Sequence, residues 1–214
     1  MSPDDFVPQR MTPQRRSAGR RVTPERLERI LDAAVEIAVA DGFSAVTMQS
    51  VARSTGYVRP VVYDCYGTPE NILAAAADRA AAVIAEQVLQ ISQKVPSQGR
   101  GQLAAVLTAV IDAARQQSSA WLLVGVPVDT APVGVQHRIG AVRGEIRRML
   151  EEALTVSTED LHTSPDLDIE ALAELTHGLV DAFIKRTVDA SDPLSLDRIE
   201  SFVASLAGSV RFVE

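Results

Sequence analysis

The chain has 214 residues, 46% of them hydrophobic but only 4% aromatic, and it carries a net charge of −7 and a single cysteine. This length allows one or two domains with a buried core. A single cysteine excludes an internal disulfide, which favours the reducing cytoplasm. The sequence has no uncharged apolar run of the roughly 18 residues that a membrane span needs, and no apolar signal-peptide core. We therefore expect a cytoplasmic protein without a membrane partner.

The charge is distributed unevenly along the chain. Residues 1–69 hold nine arginines against eight acidic residues, whereas residues 70–214 hold twelve basic and twenty acidic residues. Five of the arginines fall within residues 10–21, which contain no acidic residue. This asymmetry indicates an N-terminal part that faces nucleic acid and a separate, acidic body.

Residues 1–22 are rich in proline, arginine and polar groups and have no periodicity, so a disordered basic arm is expected there. Two interpretations of the arm stay open. It is either a solvated tail without a role, or a segment whose Arg20 and Arg21 reach phosphates or a minor groove beside the main contact.

Three helices are predicted between residues 23 and 66. Thr23 is followed by proline, a pair that caps and begins a helix, and the apolar positions of residues 27–38 fall on one helical face. Gly42 is expected to end this helix in the left-handed conformation. Thr47 caps a second helix that stops near residue 54. The third begins near residue 59, where a proline at the next position costs little.

Ala52, Gly56 and Val62 have the spacing of a helix-turn-helix. The small residue lets the second helix cross closely, the glycine tolerates the positive φ of the turn, and the aliphatic residue packs the second helix against the first. Because Ala-x-x-x-Gly also arises by chance in an alanine-rich chain, the flanking residues have to decide.

These flanks resemble the N-terminal DNA-binding domain of the TetR family of transcriptional regulators, over roughly residues 23–75. The resemblance rests on a glycine–aromatic pair before a threonine-capped helix, on a Val-Tyr-x-x-aromatic run that closes the third helix, and on a Glu-x-x-Leu segment that opens the fourth. The residues are Gly42-Phe43, Thr47, Val62-Tyr63-Asp-Cys-Tyr66 and Glu70-Asn-Ile-Leu73. The family implies a helical body of divergent sequence after this domain.

The resemblance also implies which residues contact DNA. Arg59, in the first turn of the recognition helix, is placed for a bidentate guanine contact worth about 1–3 kcal/mol of discrimination, and Val61 for a thymine methyl. The family pattern places Thr47 and Tyr63 at phosphates, although Tyr63 as a plain packing residue is the alternative. The predicted DNA-binding residues are Arg20, Arg21, Thr47, Gln49, Tyr57, Arg59, Val61 and Tyr63.

Several positions depart from the family pattern (Val58, Pro60, Val61, Cys65, Tyr66 and Pro69), and three of them matter most for contact with the DNA backbone. Val58 and Val61 replace a common serine or threonine, and Pro69 replaces a frequent lysine that opens the fourth helix. Each change removes a polar group that would meet the DNA backbone. We therefore expect stronger reliance on Arg59, Tyr63 and the arginine arm.

The remainder of the chain, residues 69–214, is predicted to be a helical effector-binding and dimerisation domain after a DNA-binding domain at residues 23–68. Apolar residues recur with helical spacing throughout, and no strand pattern occurs. The predicted helices cover residues 69–94, 102–118, a short apolar segment at 121–126, a helix opened by Pro132, residues 166–188, and a last helix capped by Ser195. A break at 96–101 and a polar loop at 157–166 separate them. The fold class is all-α with about nine helices.

Ligand and dimer contacts are predicted within this body. The ligand candidates are Leu107, Trp121, His137, His177 and Asp181, since family pockets are largely apolar with a few polar groups. An exposed i,i+4 pair is the alternative for His177 and Asp181, and plain core is the alternative for Trp121. The helix of residues 172–184 and the last helix suit a two-fold, four-helix interface. Its predicted residues are Phe183, Phe202, Leu206 and Val210.

No enzyme motif occurs in the sequence: there is no Gly-x-Gly-x-x-Gly, P-loop or nucleophile elbow. The three histidines are far apart, so neither a metal nor another cofactor is expected. We interpret the chain as a homodimeric repressor that a small molecule releases from a pseudo-palindromic operator. The alternative is a helical small-molecule-binding dimer whose operator binding is weakened or lost.

Overall fold

The computed structural model describes residues 22–95, 102–160 and 168–188, together with single positions between 195 and 205. The described residues form eight α-helices and one 3₁₀ turn at Phe43–Ala45, and contain no strand. The all-α prediction is confirmed. The helices are α1 (Pro24–Asp41), α2 (Met48–Thr55), α3 (Arg59–Tyr66), α4 (Pro69–Lys94), α5 (Gln102–Gln116), α6 (Ser118–Val124), α7 (Val133–Asp160) and α8 (Ile169–Val188).

Threonine side chains cap three of the first four helices, as the sequence predicts. The Thr23 hydroxyl accepts the Arg26 N–H at 3.4 Å, and the Thr68 hydroxyl accepts the Asn71 N–H at 3.2 Å. At α2 the cap is reciprocal, because the Thr47 hydroxyl accepts the Ser50 N–H at 3.0 Å while the Ser50 hydroxyl accepts the Thr47 N–H at 2.8 Å. Each such cap satisfies a backbone donor that the first helical turn leaves free.

Three glycines, Gly42, Gly56 and Gly67, end helices with positive φ, but only Gly56 has the left-handed helical conformation. Gly56, at the turn between α2 and α3, has φ 73° and ψ 10°. Gly42, at the end of α1, has φ 85° and ψ 167°, so the prediction of a left-handed conformation at Gly42 was wrong. The extended ψ directs the chain away from α1 into the 3₁₀ turn.

The first three helices share one small core. Ile30 and Ala34 of α1, Val51 of α2 and Val62 of α3 are each fully buried. The hydroxyl of Tyr66, at the end of α3, donates to the Leu27 carbonyl of α1 at 3.2 Å. Burial raises the pKa of Tyr66 to about 12, so the phenol keeps its proton and remains a donor. These contacts fix the orientation of α3 relative to α1.

Helices α4 to α8 pack around a second apolar core. Ile84 of α4, Ile111 of α5, Leu123 of α6 and Ile146 of α7 each have no more than 1% of their surface exposed. Helix α4 packs against α1 and α6 as well as α7, so the two cores are continuous. The predicted domain boundary after residue 68 coincides with the Thr68 cap and stays a prediction.

The helix boundaries in the body differ from the sequence expectation in two places. Helix α7 continues to Asp160, so the predicted polar loop was wrong for residues 157–160. Gln117, with φ −133° and ψ 52°, separates α5 from α6 within the predicted 102–118 helix. The predicted break at residues 96–101 lies outside the described residues, as does most of the last helix. The described positions 197, 198, 201, 202 and 205 are helical.

The described helices were also compared with the requirements of a membrane span. None of them combines the length and the apolar character needed to cross a bilayer.

Candidate DNA interface and body cavities

Helix α3 has one buried and one exposed face. Val62 is fully buried against α1 and α2, whereas Arg59 and Tyr63 are exposed, Tyr63 to 46%. Because these two residues are four apart, their side chains lie on the same face of the helix. Val61 is half-buried at the edge of that face. The structure therefore brings three of the predicted DNA contacts to one end of the molecule.

The start of α3 lacks the cap that the other helices of this unit have. Val58 occupies the capping position with φ −78° and ψ 145°, and no side chain caps the helix. Its side chain is 66% exposed. Pro60 has no backbone N–H, and the Val61 N–H is bonded to the Val58 carbonyl at 2.9 Å. Helix α3 therefore begins without the polar cap whose loss the sequence indicates at Val58.

The remaining predicted DNA contacts differ in exposure. Thr47 and Gln49, at the start of α2, are exposed. Tyr57 is half-buried, and the guanidinium carbon of Arg29 lies 5.5 Å from the centroid of its ring. This cation–π contact fixes Tyr57 against α1 and adds a positive charge that the sequence did not single out. Arg20 and Arg21 lie outside the described residues.

An arginine of α4 joins the first helix to the body. One guanidinium nitrogen of Arg79 lies 2.6 Å from a carboxylate oxygen of Glu28 and 2.8 Å from one of Asp32. Arg79 is 29% exposed, and the two acids of α1 are each about 60% exposed. The sequence did not predict this clamp because its partners are about fifty positions apart.

Trp121, for which a pocket wall and plain core were the two interpretations, is buried, and its indole N–H is hydrogen-bonded. Its indole N–H donates to the Gln87 side-chain oxygen at 2.8 Å, and the Gln87 amide donates to the Ala113 carbonyl at 2.9 Å. The relay joins α6, α4 and α5. Since only 3% of Trp121 is exposed, its position is fixed by both packing and hydrogen bonding.

A cavity of about 320 Å³ lies where α1, α6 and α8 meet, and we call it the junction cavity. Trp121 and Asp181, two of the predicted ligand residues, are in its wall. Helix α1 contributes its last turn and Gly42, α6 its C-terminal end, and α8 the segment from Asp181 to Lys185. The cavity therefore lies between the end of α1 and the body, beside their direct packing contacts.

His177 is buried, so the alternative of an exposed pair with Asp181 was wrong. Only 7% of His177 is exposed, and its Nε2 has no hydrogen-bond partner among the described residues. Nε2 lies 3.9 Å from Oδ1 of Asp181. The other oxygen of Asp181 accepts from Arg143 at 3.1 Å, and Arg143 Nε donates to the Val124 carbonyl at 3.0 Å. This cluster connects α8, α7 and the end of α6.

Burial lowers the pKa of His177 and is the main cause of its shift. Arg143 and Arg147 of α7 act in the same direction, while Asp181 and Glu174 of α8 oppose them. The imidazole is thus held neutral by its surroundings, since a proton would be both desolvated and repelled by the arginines.

The five predicted ligand residues do not form one site. Leu107 is a buried residue of α5. It lines a separate void of about 10 Å³ with Phe183 of α8 and with Phe202. His137 is exposed and lines none of the described cavities. Among the described cavities, only the junction cavity has two of the five in its wall, and the ligand role of all five stays a prediction. Helical periodicity predicts on which face of its own helix each residue lies, but it does not predict which helices pack against that face.

Helix α8 has an exposed apolar face. Leu175 is 68% and Leu179 41% exposed, and Phe202 is 45% exposed. The rings of Phe183 and Phe202 meet edge to face, with centroids 5.7 Å apart and planes at 73°. Of the predicted dimer residues, Leu206 and Val210 lie outside the described residues. Leu175 and Leu179 lie within the segment 172–184 that was predicted for the interface, but they were not among the named dimer residues.

A larger, open groove of about 440 Å³ follows α4 and α7. Its lining residues recur every three or four positions on both helices, with alanines, Ile84, Val88 and Met149 in the floor. Arg148 and Glu145 form an ion pair at the rim. The sequence analysis missed this groove.

Among the described residues, no three His, Cys, Asp or Glu side chains lie together as a metal site would require.

Comparison with known proteins finds a family similar to the N-terminal unit. Residues 30–76 match the model of the bacterial regulatory proteins of the tetR family. This segment is similar to the N-terminal part of that family. The match covers most of α1 and all of α2 and α3, and it ends within α4. The matching family is one of regulatory proteins, the class that the sequence predicts.

Solved structures of TetR-type regulators share the whole fold. A TetR-like regulator from Rhodococcus sp. RHA1 aligns with TM-score 0.67 at 22% identity, covering 88% of this chain and 97% of that chain. The TetR-family regulator PfmR from Thermus thermophilus gives 0.65 at 16%, with 90% and 99% covered. The ketosteroid regulator KstR2 of Mycobacterium tuberculosis gives 0.69 at 14%, with 88% and 96% covered. No curated protein sequence matches the chain.

Proposed function

We propose that the protein is a homodimeric TetR-type repressor that binds a pseudo-palindromic operator and is released from it by a small molecule. The observation that carries the proposal is the surface of α3, where Arg59 and Tyr63 are exposed opposite the buried Val62 in a segment that matches the family. An exposed arginine in the first turn of a recognition helix suits guanine in the major groove. Thr47, Gln49, Val61 and Tyr57 would surround this contact, with Arg20 and Arg21 reaching the backbone beside it.

Substitution of Arg59 tests base recognition. Arg59→Ala is expected to reduce the preference for operator over unrelated DNA by about tenfold or more, since a bidentate contact discriminates by about 1–3 kcal/mol. Fluorescence anisotropy with both DNAs at one salt concentration measures it. Arg115→Ala, which removes an exposed arginine of α5, is the matched control. Equal preference in the two variants would refute a base contact at Arg59.

Dimerisation is proposed through α8 and the last helix. Leu175 and Leu179 expose apolar surface on one face of α8, beside the Phe183–Phe202 contact. A two-fold axis along this face would bury both leucines against their symmetry mates. Two recognition helices would then meet half-sites about 34–36 Å apart or somewhat more.

Sedimentation velocity tests this interface. Leu175→Glu is expected to produce monomers, because it would place like charges opposite each other across the axis. Leu89→Glu makes the same change at another exposed leucine, on α4, and is expected to leave the dimer intact. A dimer that survives Leu175→Glu but not Leu89→Glu would move the interface to α4.

The start of α3 also supports the alternative function. Val58 provides no polar side chain at the start of α3, and Val61 is half-buried. A helical small-molecule-binding dimer with weakened operator binding would have such a surface. Weak and sequence-independent DNA binding by the unmodified protein would favour that alternative.

A further inference from the structure

The junction cavity has walls from both functional parts of the molecule. Ala38, Val39 and Gly42 belong to the end of α1, whereas Trp121 and Asp181 belong to α6 and α8. Its volume of about 320 Å³ is at the lower end of the range of small-molecule sites. The volume depends on how α1 lies against the body, so a molecule bound there would favour one arrangement over another.

The walls are mainly apolar. Trp121, Leu122, Val126 and Ile184 are among the apolar residues of the wall, and Gly42 and Gly125 add backbone without side chains. Trp121 is held in place by its hydrogen bond to Gln87, so this part of the wall is formed before a ligand arrives. A site of this size and composition suits one ring with a short apolar substituent.

Asp181 is the one acidic side chain in the wall of this cavity. Asp181 uses Oδ2 to accept from Arg143 at 3.1 Å, whereas its Oδ1 lies 3.9 Å from His177 Nε2, too far for a hydrogen bond. A Cβ built on Gly125 would lie 3.9 Å from the same Oδ1, so the absence of a side chain leaves this oxygen accessible. An ionised carboxylate only accepts hydrogen bonds. The ligand must therefore supply a donor.

The charges in the wall are already compensated. The Arg143 guanidinium neutralises Asp181, and Arg143 also bonds the Val124 carbonyl at the end of α6. Lys185 is the other charged side chain of the wall, and because it is exposed its charge is screened by solvent. An uncharged donor thus suits the site better than an ammonium or carboxylate group.

We propose that the junction cavity binds a small uncharged molecule, an apolar ring that carries one hydroxyl donor, such as an alkylphenol. The hydroxyl donates to Oδ1 of Asp181, and the ring packs against Trp121 and the end of α1. Occupancy shifts the angle between the helix-turn-helix unit and the body, because only a ligand with unequal affinity for two arrangements can change their populations. This last effect rests on the proposed DNA-binding function, whereas the binding itself does not.

Direct binding is measured on the full chain without DNA. The chain has one tryptophan, so Trp121 fluorescence reports on the cavity, and calorimetry gives the stoichiometry. Para-propylphenol is expected to bind once per chain with a Kd on the order of 0.1–1 mM, as its size allows. Para-propylanisole has the same ring but no donor. It is expected to bind at least about tenfold more weakly, the loss typical of a hydrogen bond to a charged group.

Two glycine variants localise the binding. Gly125→Ala places a methyl group at ordinary contact distance, 3.5 Å or more, from its neighbours and 3.9 Å from Asp181 Oδ1, so the fold tolerates it while access to the oxygen narrows. Gly140→Ala adds a methyl on α7 with no described atom within 4 Å and serves as the control. The phenol should bind about tenfold more weakly to the first variant and unchanged to the second.

Three outcomes would overturn the proposal. They are no saturable binding of the phenol, equal binding of the phenol and its methyl ether, or equal binding to the two glycine variants. The effect on DNA is measured separately, with a saturating phenol concentration expected to change operator affinity by between about 5- and 150-fold. A chain that binds DNA selectively but not the phenol refutes the cavity assignment alone. A chain that binds the phenol but no operator refutes the proposed function alone.

Discussion

The uncapped start of α3 offers a gain-of-stability test of how the recognition helix is built. Val58 has the extended conformation of a capping residue, and 66% of its side chain is exposed, so its replacement loses little apolar burial. In Val58→Ser the hydroxyl can accept a hydrogen bond from the first turn of the helix. We predict that this single substitution stabilises the protein.

The expected gain follows from the donors that are present. Pro60 has no N–H, so the hydroxyl can accept only from the Val61 N–H, which already bonds the Val58 carbonyl at 2.9 Å. The same sharing occurs at Thr23, where the Arg26 N–H lies 3.1 Å from the carbonyl and 3.4 Å from the hydroxyl. We therefore expect the lower part of the capping range, about 0.5–1 kcal/mol. This corresponds to a rise in Tm of about 1–4 °C for a chain of this length.

Urea denaturation of three proteins measures the effect: the unmodified chain, Val58→Ser, and Val58→Ala as the control that removes the valine without adding a cap. The midpoint for Val58→Ser should exceed that for Val58→Ala, with no change in the slope m. Operator affinity should also rise, by about 2- to 10-fold, if the hydroxyl meets a phosphate. Equal midpoints for the serine and alanine variants would refute the account of this helix start.

Two further predictions concern the contacts between helices. Arg79→Gln breaks the clamp on Glu28 and Asp32 and should cost about 0.5–2 kcal/mol by urea denaturation, since two partly exposed ion pairs are lost; an unchanged midpoint that is also insensitive to salt would contradict it. The pKa of His177 is lowered by burial, so the unfolded chain binds the additional proton first and stability falls as the pH drops below about 6.5. His177→Gln should lack this pH-dependent contribution, so its free energy of unfolding should fall less steeply between about pH 7 and 5. Parallel curves for the two proteins would exclude a contribution from His177.

The helix-turn-helix could be predicted from sequence because its determinants are local. Thr47 caps its own helix, Gly56 provides its own positive φ, and Val62 follows at a fixed spacing. Each signal acts within about ten residues, and all of them agree. The same locality explains the error at Gly42, where positive φ followed from glycine but ψ depends on where the next segment packs.

The end of α7 shows how polarity misleads about helix length. Residues 157–160 are polar and suggested a loop, but no glycine or proline interrupts them. The backbone hydrogen bonds of a long helix can continue through polar residues at little cost. The side chain of Thr155 donates to the Glu151 carbonyl at 2.8 Å, which ties this turn to the preceding one.

The body sites depended on long-range packing that periodicity does not encode. His177 lies on α8 with Leu175, but the two point to opposite environments, one buried and the other 68% exposed. The Arg79 clamp and the junction cavity each combine helices that are distant in the sequence. Trp121 and Asp181 were found through residue type alone, and their meeting at one cavity became visible only once α1, α6 and α8 were assembled.

The most direct test of the central claim is binding of the full chain to the DNA upstream of its own coding sequence, titrated against salt. The account predicts a site-selective complex whose log affinity falls linearly and steeply with log salt concentration, by about 0.9 for each phosphate contact. An unrelated fragment of equal length should bind far more weakly at every salt concentration. Weak binding that is equal for both fragments would contradict the assignment of the protein as a DNA-binding regulator.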